Sequence, residues 1–153
     1  MNKMSIYAQQ CKYNPNLGLF LLRVVLGAVF IAHGLQKIQM IDGVIGFFGV
    51  LGLPAFFAYI VSYGELVAGI AMILGIFTRL AGYFIAVTMI VAIFLVKSHV
   101  GFLSNQMGVG YELDLPLFAM AVCIALSGPG IYSLGKKMCG CGGCQICGSK
   151  RMI

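Results

Sequence analysis

Arg23, His33 and Glu65 are ionisable side chains set in stretches otherwise apolar enough to cross a membrane. Residues 17–37 read LGLFLLRVVLGAVFIAHGLQK, and at 1.5 Å per residue they extend about 30 Å, the thickness of a hydrocarbon core. A charge left in lipid costs at least about 2.5 kcal/mol on the insertion scale, so Arg23 calls for a carboxylate or water. With the second span returning antiparallel, rise per residue puts Arg23 about 9 Å, Glu65 about 18 Å and His33 about 24 Å above the end where the first span begins. Long side chains bridge such gaps, which predicts a buried Arg23–Glu65–His33 cluster. Histidine and glutamate titrate within reach of neutral pH once burial shifts them. Such a cluster could pass protons or hydrogen-bond a quinone carbonyl. The plainer alternative is an ion pair that neutralises itself and fixes helix register.

The elements that position these groups are helices. Arg23, Gly27, Phe30, Gly34 and Lys37 fall within about 40° of one line on a helical wheel, with His33 at the stripe's edge. The stripe's two glycines let a neighbouring helix approach closely. Ser62, Gly69 and Met72 share the Glu65 face. Residues 1–16 form a polar lead with Lys3 and Lys12, closed by Asn14-Pro15-Asn16. Residues 38–53 are too short and glycine-rich for a span yet too apolar for an ordinary loop, which predicts an interfacial or re-entrant segment. Pro54 opens a second span over 55–77, Thr78-Arg79 reads as a tight turn, and 80–96 forms the third span. Tyr111-Glu112-Leu113-Asp114-Leu115-Pro116 opens the fourth, with acids where the helix dipole favours them. The expected fold is all-α: four transmembrane helices in an up-and-down bundle over 17–134, with a cysteine-rich tail over 135–153.

Composition supports this. The chain has 153 residues, 61% of them hydrophobic and only 9% charged, with a mean hydropathy of +1.01; globular domains carry about a quarter charged residues. The formal net charge of +6 does not point to nucleic acid, because the basic residues flank the spans. Lys3, Lys12, Arg79, Lys136, Lys137, Lys150 and Arg151 fall on one side, against Lys37 and Lys97 on the other. The positive-inside rule then places both termini in the cytoplasm of an inner-membrane, multi-pass protein. The first span has no small-residue cleavage site and is expected to be retained. At the mouth of the bundle Lys37, Asp42, Lys97, His99, Glu112 and Asp114 would gather as solvated ends.

The tail contains Cys139, Cys141, Cys144 and Cys147 in a C-x-C-x-x-C-x-x-C run. Thiolates so spaced could wrap one soft ion, copper(I) or zinc. On the reducing side of the membrane they would not form structural disulfides. The alternative is an unstructured, lipid-modified tail.

Five pieces in this order resemble the DoxX family of small four-span membrane proteins: LLRVVLGAVFIAHGLQKI, FFGVLGLP, YGELVAGIAMILGIFTRLAGY, YELDLPL and GPGIYSL. They cover residues 17–134. The resemblance implies a helical bundle with motif positions at Arg23, His33, Gly34, Lys37, Glu65, Thr78, Arg79 and Glu112. It also implies a redox setting, since such proteins include relatives of thiosulfate:quinone oxidoreductase subunits and members linked to membrane complexes that handle thiols and oxidative stress. Gly135 stands where an aspartate is common in the family. No flavin or nicotinamide fingerprint is present, so a soluble redox partner would bring any such cofactor. The expected ligand-binding or proton-relay set is Arg23, His33, Lys37, Glu65, Arg79 and Glu112, with no catalytic residue assigned. A membrane subunit of an oxidoreductase, a metal-handling protein and a scaffold or permease all remain open readings, as does a homo-oligomer in contact with membrane lipid.

The tail reading has its own test. Purified protein should carry about one copper or zinc ion per chain by elemental analysis, lost when Cys141 and Cys144 become serine; an unchanged metal content in that double variant removes the reading.

Overall fold

The computed structural model describes residues 14–98, 100–104 and 108–135. Most of the polar lead, His99, Lys136, Lys137 and the tail cysteines Cys139, Cys141, Cys144 and Cys147 lie outside the described residues. What is described is all-helical: α1 (Pro15–Gln39), α2 (Ile41–Val50), α3 (Ala55–Leu74), α4 (Thr78–Val91) and α5 (Asp114–Ser127). α4 continues through Ala92–Lys97 as a wider π-helical segment. Among the described residues three stretches are long and apolar enough to cross a membrane: Pro15–Gln39, Ala55–Leu74 and Thr78–Lys97.

Local chemistry sets the boundaries. Pro15 is the first residue of α1, a place where a missing amide hydrogen costs nothing. α3 stops three residues before the end predicted from hydropathy, because Gly75 takes a left-handed conformation (φ 75°) and its amide bonds back to Ala71 O at 2.9 Å. The chain reverses over Gly75–Phe77, with Phe77 itself at φ 50°, and Thr78 and Arg79 form the first turn of α4. The expected Thr78-Arg79 turn is therefore displaced by three residues. The glycine supplies a left-handed position that threonine and arginine adopt poorly. α5 begins at Asp114, with Pro116 inside its first turn, and at 14 residues it is about 21 Å long. In the segment expected to be interfacial or re-entrant, α2 is a ten-residue helix with no buried residue.

α1 packs chiefly on α3, α4 on α5, and α2 lies against α3. The core joins Leu26 and Phe30 of α1, Ala68 and Met72 of α3, Ile85 and Met89 of α4, and Ala121 and Ile124 of α5. Small residues make the closest approaches. A methyl group on Gly27 would stand 2.7 Å from the Gly69 carbonyl oxygen, and one on Gly34 2.7 Å from the Leu66 nitrogen. On the other pair, Gly82 would meet the Ala121 carbonyl oxygen at 3.0 Å. The buried residues of α1 are Arg23, Leu26, Gly27, Phe30 and Gly34, which is the face read from the sequence.

Gly27→Leu should therefore destabilise the protein in detergent by about 1–3 kcal/mol, the usual cost of overpacking. Gly18→Leu, on the same helix with open space around Gly18, should not. Equal thermal midpoints for the two variants would show that α1 and α3 do not depend on that contact.

Candidate functional site

The helices carry two separate groups of charges. At one end Arg23 is fully buried and its hydrogen-bond partners are all backbone carbonyls. Its guanidinium donates to Met72 O at 3.0 Å, Ile73 O at 3.4 Å, Tyr132 O at 3.1 Å and also Pro129 O. These carbonyls belong to the last turn of α3, where intrahelical acceptors run out, and to the segment that follows α5. One planar cation thus ties three parts of the chain together. The expected Arg23–Glu65 pair does not form.

The reason is register. Gly27 faces Ile73 and Gly34 faces Leu66, so Glu65 comes level with Leu35, about 18 Å along α1 from Arg23. Glu65 instead meets Lys37, whose Nζ donates to Oε1 at 2.5 Å. Glu65 is 1% exposed, and its second oxygen, Oε2, has no hydrogen-bond partner among the described residues. Leaving a buried carboxylate half-satisfied is costly, because the anion keeps lone pairs that water would have filled.

The second group includes another ion pair, from the end of α4 to the start of α5. Lys97 Nζ lies 2.5 Å from Asp114 Oδ2, although that oxygen lacks the geometry of a hydrogen bond. Both pairs line one cavity of about 910 Å³, within the size range of small-molecule sites. α1 contributes Phe30, His33, Gln36 and Lys37; α2 contributes Gly43, Val44, Phe47 and Phe48; α3 contributes Phe57, Ile60, Val61 and Glu65. The π segment adds Leu95, Val96 and Lys97, and α5 adds Asp114 and Leu117. The polar lining side chains are His33, Gln36, Lys37, Glu65, Thr88, Lys97 and Asp114, and the remainder of the wall is apolar or glycine. Thr88 is occupied locally, donating to Ile85 O at 2.8 Å.

The other expected site residues are distributed as follows. His33 lines the cavity but is exposed, its ring edge-on to Phe30 with centroids 6.5 Å apart. Arg79 is half-buried in the first turn of α4, its Nε without a hydrogen-bond partner among the described residues, and is not part of the cavity wall. Glu112 accepts from Ser104 Oγ at 2.9 Å. With the backbone bond from Glu112 N to Phe102 O at 3.0 Å, it ties residues 102–104 to the approach of α5. Lys97 and Asp114 were expected only as solvated ends; a base in a last helical turn and an acid in a first one was the signal that they could meet. Among the described residues no group of histidine, cysteine and acidic side chains is arranged to hold a metal ion.

Comparison with known proteins bears on this site. The family model described as DoxX matches residues 18–98, which includes Arg23, His33, Lys37, Glu65, Arg79 and Lys97. The chain belongs to the DoxX family. Among relatives of this DoxX protein, the Bacillus subtilis protein named "Putative oxidoreductase CatD" is 39% identical over 127 residues, covering 79% of this chain and 91% of the relative. An uncharacterized membrane protein of Mycobacterium tuberculosis is 32% identical over 76% of this chain and 78% of its own length. The inner membrane protein YqjF of Escherichia coli is 26% identical over 80% and 93%. No solved structure matches at a significant level.

The separation of Arg23 from Glu65 makes a thermodynamic prediction. In double-variant cycles read by thermal unfolding, Lys37→Gln with Glu65→Gln should show a coupling of about 0.5–3 kcal/mol, whereas Arg23→Met with Glu65→Gln should be additive within about 0.5 kcal/mol. Strong coupling in the second cycle contradicts the carbonyl-bound arrangement of Arg23.

Proposed function

We propose that this DoxX protein is a four-span inner-membrane protein that serves a redox system by holding a quinone, or a similarly amphipathic small molecule, in the cavity between α1, α2, α3 and α4. The observation that carries this reading is the half-satisfied Glu65 beside Lys37 at the wall of a large, mostly apolar cavity. Intramembrane ionisable groups that are not fully paired are functional candidates. A site with a long apolar wall and few polar anchors suits a ligand with a ring and a hydrocarbon tail. The name of the Bacillus relative, "Putative oxidoreductase CatD", supports the redox setting.

On this reading α1, α3 and α4 with its π segment are three spans and α5 is the fourth. α2 lies at the interface as a short re-entrant or surface helix covering the cavity. Both termini face the cytoplasm, in keeping with the basic residues that flank the spans. Lys37 and Glu65 orient the ligand's polar head, and His33 exchanges protons or hydrogen bonds with it at the cavity edge. Arg23 organises the opposite end and does not touch the ligand. The chain supplies binding, orientation and proton acceptors; electrons come from a partner.

Thermal unfolding of purified protein in detergent, with and without a mixture of a short-tailed benzoquinone and its quinol, tests this reading. Wild type should be stabilised by about 2.7 kcal/mol at one hundred times Kd, and Glu65→Gln by much less. No shift in either protein removes the cavity as a quinone site.

A further inference from the structure

Resting on that reading, we infer that the cavity selects a ligand bearing a hydroxyl donor at its polar head, the reduced hydroquinone-type form of a couple rather than the oxidised quinone. The argument starts from what each polar atom still lacks. Glu65 Oε1 is taken by Lys37 at 2.5 Å, while Oε2 is buried and without a partner among the described residues. An ionised carboxylate only accepts hydrogen bonds, so the atom that completes this site must be a donor. An ammonium group has three N–H bonds, and the Lys37 side chain is 32% exposed beside Glu65, so it can offer a further donor toward the same space.

A hydroxyl group matches both needs: its hydrogen goes to Glu65 Oε2 and its lone pairs accept from Lys37. A quinone carbonyl matches only the second. It would fill the apolar space equally well while leaving the buried Glu65 oxygen without a donor. A site built to hydrogen-bond a hydroxyl rejects the analogue that lacks it for this reason. The apolar wall from α2 and α3, with Phe47, Phe48 and Phe57, takes the ring and tail of both forms and does not discriminate. Selection lies at Glu65.

The test compares three probes of nearly equal shape on the full-length protein in detergent under anaerobic conditions: a decyl-tailed hydroquinone, the matching quinone, and the hydroquinone's dimethyl ether. Affinities are read by calorimetry. Hydroquinone should bind about tenfold or more tighter than both other probes, and this gap should close in Glu65→Gln, whose amide can donate as well as accept. Should that variant fail to fold, Lys37→Gln combined with Glu65→Gln removes both charges together and makes the same prediction. Equal affinity for all three probes in wild type overturns the hydroxyl selection but leaves the cavity as an amphiphile site. A gap that persists unchanged in the Glu65 variants overturns the assignment to Glu65. Binding of none of the three overturns the quinone-site reading and this inference with it.

Discussion

Close contact between α1 and α3 governs everything else in this molecule. Two helices meet with almost no side chain between them at Gly27, Gly34 and Gly69. In an apolar solvent, where burying hydrocarbon gives no advantage over lipid, such tight backbone packing is a main source of helix association. Its second effect is to fix register. Once Gly27 faces Ile73 and Gly34 faces Leu66, Arg23 is committed to the carbonyls at the end of α3, and Glu65 lies within reach of Lys37. The glycines decide the electrostatics without carrying any charge.

The two ends of the α1–α3 pair then solve the problem of a buried charge in opposite ways. At the Arg23 end, the guanidinium finds its acceptors within the chain, which makes a clamp holding the residues after α5 against α3. At the Lys37 end, one carboxylate oxygen is left over beside a large cavity. A chain able to satisfy a guanidinium with carbonyls had the means to satisfy a carboxylate too.

Much of this was legible in the sequence, and the parts that were not share a physical cause. The buried stripe of α1 and the Ser62, Glu65, Gly69 and Met72 face of α3 follow from helical periodicity, which depends only on spacing. The pairing of charges depends on register between helices, which small-residue contacts set and which counting residues from estimated span ends cannot. Lys37 was expected at the mouth, but its long side chain reaches back along α1 to Glu65. The boundary between α3 and α4 was misplaced because hydropathy runs smoothly through Gly75, where backbone conformation changes. For the Lys97–Asp114 pair the local signal, a base ending one helix and an acid opening the next, is present in the sequence but reads there as two solvated ends.

The wide segment at the end of α4 gives the length of that helix an unusual tolerance. A π-helix turns by about 82° per residue and an α-helix by about 100°, so the six residues of the wide segment Ala92–Lys97 carry Lys97 through nearly the same angle as five residues of an α-helix would. One residue can therefore leave this stretch, the wide segment tightening to an α-helix, with Lys97 still facing Asp114. A chain one residue shorter between the core of α4 and Lys97 can keep the same ion pair across the loop.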